Sequence, residues 1–296
     1  MTAATAAATA PTIDEAQLRK HIGTRMVDED VATAAPLRML VATFDRPEVA
    51  PREGDAIPPG WHIGYFLNMA AQSDLSPDGL PMGAGVLPKL PLPRRMFAGI
   101  RLAFHGDIRV GDKLRRETEL TDIVVRKGST GTLIFTTQTR KIFTPRGLAL
   151  TEEYDGAFRE EVKSGEKSGI PKRDAVPENL PWRRVIKTSP VSLFRFSAIT
   201  FNPHRIHYDT PYATGVEGYP GLVVHGPYSQ HCLIDFVRDS NPGRTIKTFQ
   251  MKARAPLFDT APFTLVGRPV EGGHACEVWA LTPEGTIAMQ ATATLA

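Results

Sequence analysis

The spacing of apolar residues changes along the chain, and each change predicts an element. Residues 13–24 (IDEAQLRKHIGT) have the spacing of a short helix closed by Gly23, and 37–45 (LRMLVATFD) predicts a second helix. From Pro51 to Pro93 no period holds. This stretch is rich in Pro, Gly and Met, is long for a loop inside a compact domain, and is expected to be a functional cover. From Met96 the pattern alternates with β-branched residues. It breaks at Gly111-Asp112 and at Lys127-Gly128-Ser129, which predicts an antiparallel meander, and LALTEEYDGAFRE adds a further strand.

Residues 161–181 are charged, rich in Gly and Pro and poor in apolar side chains, the composition of a linker. Beyond them come predicted strands near 182–192, a loop and helix through 193–238, and four more alternating runs from Thr245 to the end. Within 222–237, Leu222, Val223, Leu233, Ile234, Phe236 and Val237 predict a buried helix between Pro220-Gly221 and Pro242-Gly243. Both halves end in a meander, and Asp112 and Asp259 fall at comparable turns. This is weak self-similarity at a period of about 150 residues, and it points to a duplicated domain. The helix-loop region belongs to the second half only, so the two copies are expected to be functionally unequal.

Composition narrows the function classes. A net charge of +3 over 296 residues is no dense basic face, so a nucleic-acid partner is not expected. The pairs Arg94-Arg95, Arg115-Arg116 and Arg183-Arg184 read as solvated faces or, at most, as a local groove for a phosphorylated small molecule. Two cysteines without CxxC spacing argue against a disulfide framework or a zinc site and suit a reducing compartment. No apolar run approaches the roughly 18 residues of a membrane span, so no membrane partner is expected. The opening MTAATAAATAPT has no basic n-region, so 1–12 is expected to be a disordered tail and the location cytoplasmic.

Chemistry concentrates between Phe194 and Val237. Four of the eight histidines, His204, His207, His225 and His231, lie there with Thr200, Asn202, Arg205, Tyr208 and Asp209. No HxxxH or HExxH spacing is present, so a metal is not expected. His231, on an apolar helix face, reads as structural, and His225 as either packed or functional. Asn202-Pro203 makes a turn, because proline keeps the preceding residue out of the helical region. His207 follows among polar residues, and an imidazole suits acid–base work near neutral pH. The VHGP segment lies at or near a helix start, where unpaired N–H groups can hold a developing oxyanion, and Gly226 would let a carbonyl approach closely.

Ser197-Ala198-Ile199-Thr200-Phe201-Asn202-Pro203, then Ile206-His207-Tyr208-Asp209 and the opening His225-Gly226, resemble the motif of the MaoC-like, or R-specific, enoyl-CoA hydratases. WHIGYFL, PDGLP, LPRRMFAG and FxxxIRVGD resemble the first domain of two-domain members. LPRRMFAG with TFNPHRIHYD is most similar to the branch of mesaconyl-C4-CoA hydratases and type 2 hydroxyacyl-thioester dehydratases. The resemblance covers nearly the whole chain after the tail. It implies an α+β double hotdog fold, two hotdog domains paired within one chain. The first, 13–160, would be non-catalytic and hold the acyl group; the second, 182–296, would be catalytic. Further pairing into a homodimer of such chains fits the family.

The resemblance also implies a hydro-lyase that adds water reversibly across the double bond of an enoyl-CoA. The acyl group would be C4-dicarboxylic or branched, as in mesaconyl-C4-CoA, and no cofactor is needed beyond the CoA of the substrate. Two departures stand out. Thr200 occupies the position of the family's aspartate, and His204 and Arg205 are inserted before Ile206-His207. Catalysis is then expected from His207, with Asn202 and Thr200 holding water, or another carboxylate such as Asp209 acting, and with the Gly226 N–H on the thioester oxygen. Asp209, two residues from His207, is expected to point elsewhere. Substrate contacts are expected from His225, Arg205 and Tyr219, from Arg94 and Arg95 on CoA phosphates or a substrate carboxylate, and from Trp61, Tyr65 and Phe66 as acyl walls, with ordinary core as the alternative for these aromatics. A hotdog acyl-CoA thioesterase and a catalytically silent acyl-CoA-binding protein are the competing readings.

Overall fold

In the computed structural model, residues 13–83, 85–128, 131–160 and 175–296 are described. The expected tail and residues 161–174 of the expected linker lie outside them. The first helix, α1, is a single turn, Glu15–Arg19, capped by the Asp14 side chain, and Gly23 follows at φ 90°. After β1 (Arg25–Val31), α2 spans Ala34–Thr43 and buries Leu37 and Leu40. Among its described residues, the long Pro- and Gly-rich region holds two 3-10 turns, Trp61–Gly64 and Gln72–Asp74. Four strands follow: β2 (Arg94–Phe104), β3 (Lys113–Gly128), β4 (Gly131–Thr144) and β5 (Gly147–Arg159).

The second half opens with β6, Trp182–Ile186, which is shorter than the predicted run to 192. Ser189 and Ser192 form a reciprocal cap, and with Pro190 in the first turn they start α3 (Pro190–Thr200) instead. A 3-10 turn at Arg205–His207, α4 (Thr210–Gly215) and α5 (Gly226–Ser240) complete the helical region. Strands β7 (Ile246–Ala253), β8 (Phe263–Val270), β9 (Ala275–Leu281) and β10 (Ile287–Leu295) close the chain.

Helix α5 begins four residues later than its apolar pattern predicted. The cause is Pro227. A helix running from 222 would place its ring against the carbonyl of Val223, four residues back, whereas in the first turn its missing N–H costs nothing. Leu222–Val224 is extended instead. Val224 N donates to Leu257 O at 2.8 Å, and Asp259 N donates to Leu222 O at 3.0 Å. From Tyr228 to Val237 every residue of α5 is buried, as befits a helix enclosed on all sides.

Among the described residues, ten strands form one antiparallel sheet in the order β1-β3-β4-β5-β2-β7-β10-β9-β8-β6. Read inward from each edge, both halves have the same order: first, third, fourth, fifth, second. They join where β2 pairs with β7, from Gly99↔Lys252 to Ala103↔Thr248. The turns correspond too. Ala56 bridges Arg109 as Val223 bridges Phe258, and Ile57 N donates to Ile108 O at 2.8 Å, as Val224 does to Leu257. The strip that runs into α5 in the second half runs into Pro58-Pro59 and a one-turn helix in the first. The sheet curves around helices with a core that spans both halves, a hotdog-like α+β fold. No helix among the described residues is long and apolar enough to cross a membrane.

Candidate active site

The proline that sets the start of α5 also leaves the Val223 carbonyl outside any helix. His207 Nδ1 lies 2.7 Å from it. A carbonyl can only accept, so Nδ1 carries the proton and Nε2 keeps its lone pair. His225, at the N-cap position of α5, makes no cap hydrogen bond. Its ring lies flat on His207, with centroids 3.6 Å apart and planes 20° apart, and its Nε2 meets Ser197 Oγ at 2.8 Å. The other nitrogen of His225 is buried without a partner. His204 meets His207 edge-on at 5.3 Å.

These rings are 8%, 7% and 0% exposed at His204, His207 and His225. Burial pushes His207 down to about 3, helped by the neighbouring His204. Burial also lowers His204 to about 4, against the pull of Asp78 and with the push of Arg95 and Arg94. His225 is likewise driven well below its ordinary value by burial and by the two other rings. At neutral pH the cluster is therefore uncharged, and His207 presents an unprotonated nitrogen beside the first turn of α5. Helix geometry leaves the N–H groups of that turn free for an oxyanion.

Other expected residues stand as follows. Thr200 donates its hydroxyl hydrogen to Phe196 O at 2.8 Å, so that hydrogen is not free for water. Asn202 accepts from the His204 backbone N–H at 3.0 Å and holds the turn. Arg205 grips Asp209 at 2.8 Å and the Pro77 carbonyl at 3.0 Å, which makes it a tie between segments. Asp209 also caps α4, accepting from the Tyr212 N–H, and the segment before it is a 3-10 turn at Arg205–His207, not an extended run. The space above the Gly226 α-carbon is already filled: an added Cβ would lie 2.5 Å from the Phe97 ring. The glycine is needed for Phe97, and what it can offer a substrate is its N–H.

Arg94 is ion-paired with Glu217 and donates to the Tyr219 hydroxyl at 2.8 Å. Arg95, half-buried, has no carboxylate partner among the described residues, and its charge reaches His204. The three aromatics belong to the core. Trp61 is fully buried and donates to Asp235 at 3.0 Å; Tyr65 is buried and donates to Thr33 O at 2.7 Å; Phe66 packs under the Arg116 guanidinium at 4.6 Å. Their expected place on an acyl wall gives way to these contacts, because Trp and Tyr bury well once their polar atoms are paired. His231 packs on Phe44 at 4.2 Å, away from the histidine cluster.

Sequence reasoning passed over two participants. Val223 supplies a backbone acceptor, which no side-chain pattern marks. Asp78 reaches the cluster from the first half, its Oδ2 3.9 Å from His204 Nε2. The signal for it was the PDGLP turn, read above only as a likeness.

Comparison with known proteins shows the family. The family model for hydroxyacyl-thioester dehydratase type 2 matches residues 60–259. The chain is 42% identical over 277 residues to a mesaconyl-C(4)-CoA hydratase of Chloroflexus aurantiacus, covering 92% of this chain and 95% of that one. It is 25% identical to the mitochondrial type 2 hydroxyacyl-thioester dehydratase of Schizosaccharomyces pombe, over 81% of this chain and 89% of the other. A MaoC-like dehydratase structure from Phytophthora capsici superposes with a TM-score of 0.69 at 15% identity, covering 96% of this chain and 98% of that one. The chain therefore belongs to the MaoC-like hydratase and dehydratase family, hydro-lyases related to the type 2 hydroxyacyl-thioester dehydratases.

Proposed function

We propose that this enzyme hydrates a C4-dicarboxylic enoyl-CoA of the mesaconyl-C4 type, and dehydrates its product. The observation that carries the reading is the His207 tautomer: Nδ1 is committed to Val223 O at 2.7 Å, so Nε2 is left as the base. In this reading Nε2 takes a proton from water as the water oxygen bonds to the β-carbon. The electron pair of the double bond moves toward the thioester oxygen, which accepts from the Gly226 N–H. His207 then returns the proton to the α-carbon. The dicarboxylic preference is supported by Arg95, a half-buried cation near His204 with no carboxylate partner among the described residues. The 42% identity to a mesaconyl-C(4)-CoA hydratase supports it as well.

The repeated strand order and the matching bridges support two hotdog domains, 13–160 and 182–296, paired within the chain. Pro58 and Pro59 stand in the first half where His225 and Gly226 stand in the second, so the first domain has no active site of its own in this reading.

The test is a spectrophotometric assay of mesaconyl-C4-CoA and crotonyl-CoA with the purified chain. Loss of enoyl-thioester absorbance without free thiol is expected. Release of thiol would mean a thioesterase, and tight binding without turnover a silent acyl-CoA-binding protein. His207→Ala should lose about 100- to 10,000-fold in kcat, the range of a positioned acid–base group. Full activity in that variant would overturn the assignment.

A further inference from the structure

Thr200 stands where the resemblance implies an aspartate, and the nearby carboxylates of the second half are engaged elsewhere. The Thr200 hydroxyl is bonded to Phe196 O. Asp209 is held by Arg205, Asp259 accepts from the Leu222 N–H at 2.8 Å, and Glu217 is paired with Arg94. The carboxylate that faces a site histidine comes instead from the first half. Asp78 lies on the loop 76–80, and one of its oxygens, Oδ1, is held by Ser76 Oγ and by the Leu80 N–H at 2.9 Å. That leaves Oδ2 turned toward His204 Nε2, 3.9 Å away.

The loop is docked backbone to backbone on the turn that carries His204. Arg205 N donates to Asp78 O at 2.8 Å, and Arg205 Nη1 donates to Pro77 O at 3.0 Å. Gly79, at φ +91°, lies so close to Pro203 that an added Cβ would stand 2.0 Å from its carbonyl oxygen. Only glycine fits there, and the fit sets where Asp78 sits.

We propose that His204 and Asp78 together supply the partner that His207 lacks. His204 holds the attacking water beside His207. Asp78, given by the first half to the site of the second, orients His204 and offsets the positive charge that appears on the histidine pair during the reaction. The inference rests on the hydratase reading above and leaves its chemistry balanced: the proton goes from water to His207 and on to the α-carbon, with no net change at His204 or Asp78. The charged and titratable groups around His204 are Asp78 from the loop, Arg94 and Arg95 from β2, His225 from the N-cap of α5, and His207 from its own turn. Asp78 acts through His204 and is a positioning residue.

Asp78→Asn tests this, because an amide oxygen still accepts from Ser76 and Leu80 while the charge is lost. Steady-state kinetics of the full chain on the enoyl-CoA that it hydrates should show kcat down about tenfold or more, with KM held within about threefold. The acidic limb of the kcat profile should move about one unit to lower pH, since a carboxylate favours the protonated imidazole. Ser76→Ala, which disturbs the loop but keeps the charge, should leave that limb in place. Asp78→Asn should add nothing to a His204→Gln background. If Asp78→Asn keeps kcat within twofold and its limb unmoved, or if the two losses multiply, the proposal is overturned. Should Asp78→Asn fail to fold, His204→Gln carries the test: a tenfold loss of kcat supports it and unchanged kcat overturns it. Activity retained in His207→Ala would sink the hydratase reading itself, whereas a dead His207→Ala with an unaffected Asp78→Asn sinks only this inference.

Discussion

Gly79→Ala, set against Gly54→Ala, isolates the docking of the first-half loop on the histidine turn. Both glycines have a left-handed backbone, at φ +91° and +84°. An alanine in that region costs about 1–2 kcal/mol. Around Gly54 nothing lies within 4 Å, so strain is the whole effect. At Gly79 the new Cβ would lie 2.0 Å from the Pro203 carbonyl oxygen and 3.0 Å from its carbon. Carbon and oxygen sit comfortably at about 3.3 Å or more, so the two backbones must part by over an ångström. A flexible side chain could swing away; a carbonyl cannot. Parting breaks the Arg205 bonds to Asp78 O and Pro77 O, worth about 0.5–1.5 kcal/mol each. Gly79→Ala should therefore be about 1–3 kcal/mol less stable than Gly54→Ala. It should also lose about tenfold in kcat, because Asp78 leaves His204, while Gly54→Ala stays within about twofold. Urea denaturation and steady-state kinetics on both variants measure this. Equal stability and equal kcat in the two would refute the docking argument.

Two further outcomes follow from the same contacts. Arg95→Gln should weaken kcat/KM about 10- to 100-fold on a C4-dicarboxylic enoyl-CoA, the worth of a charged hydrogen bond, and leave crotonyl-CoA little changed; equal effects on both substrates would remove Arg95 from acyl recognition. His204, His207 and His231 are held by burial at about 4, 3 and 4, below their ordinary value of 6.5. The folded state then binds fewer protons than the unfolded one, so stability is full above about pH 6.5 and falls as pH drops toward 4 and 3. Denaturation midpoints between pH 7 and 5 should show the decline, and His231→Gln should flatten it; a level profile would contradict the burial argument.

Much of this protein was legible without coordinates. Period-two alternation from Met96 and again from Thr245 marked the strands of both meanders, because a strand's pattern depends only on which of its two faces is buried. The similar turns at Asp112 and Asp259 pointed to a duplicated architecture, and the repeated strand order is consistent with that. His207 stood out because an Asn-Pro turn followed by histidine is a local motif. The start of α5 was misplaced although Pro227 was in view: the apolar run from Leu222 is equally good as a strand, and pairing with Leu257–Asp259 chose the strand. Trp61, Tyr65 and Phe66 could be wall or core by composition, and only the partners Asp235, Thr33 and Arg116 decided for core.

By itself, then, the sequence marked most of the strands, suggested a duplication and singled out His207, each from patterns written within a few residues of each other. The tertiary structure alone decided which nitrogen of His207 is basic, how far burial neutralises its neighbours, and that Asp78 faces the cluster. The physical reason is common to all three. A free carbonyl at Val223, a low-dielectric enclosure, and a loop seated on Pro203 each depend on surfaces brought together from distant parts of the chain.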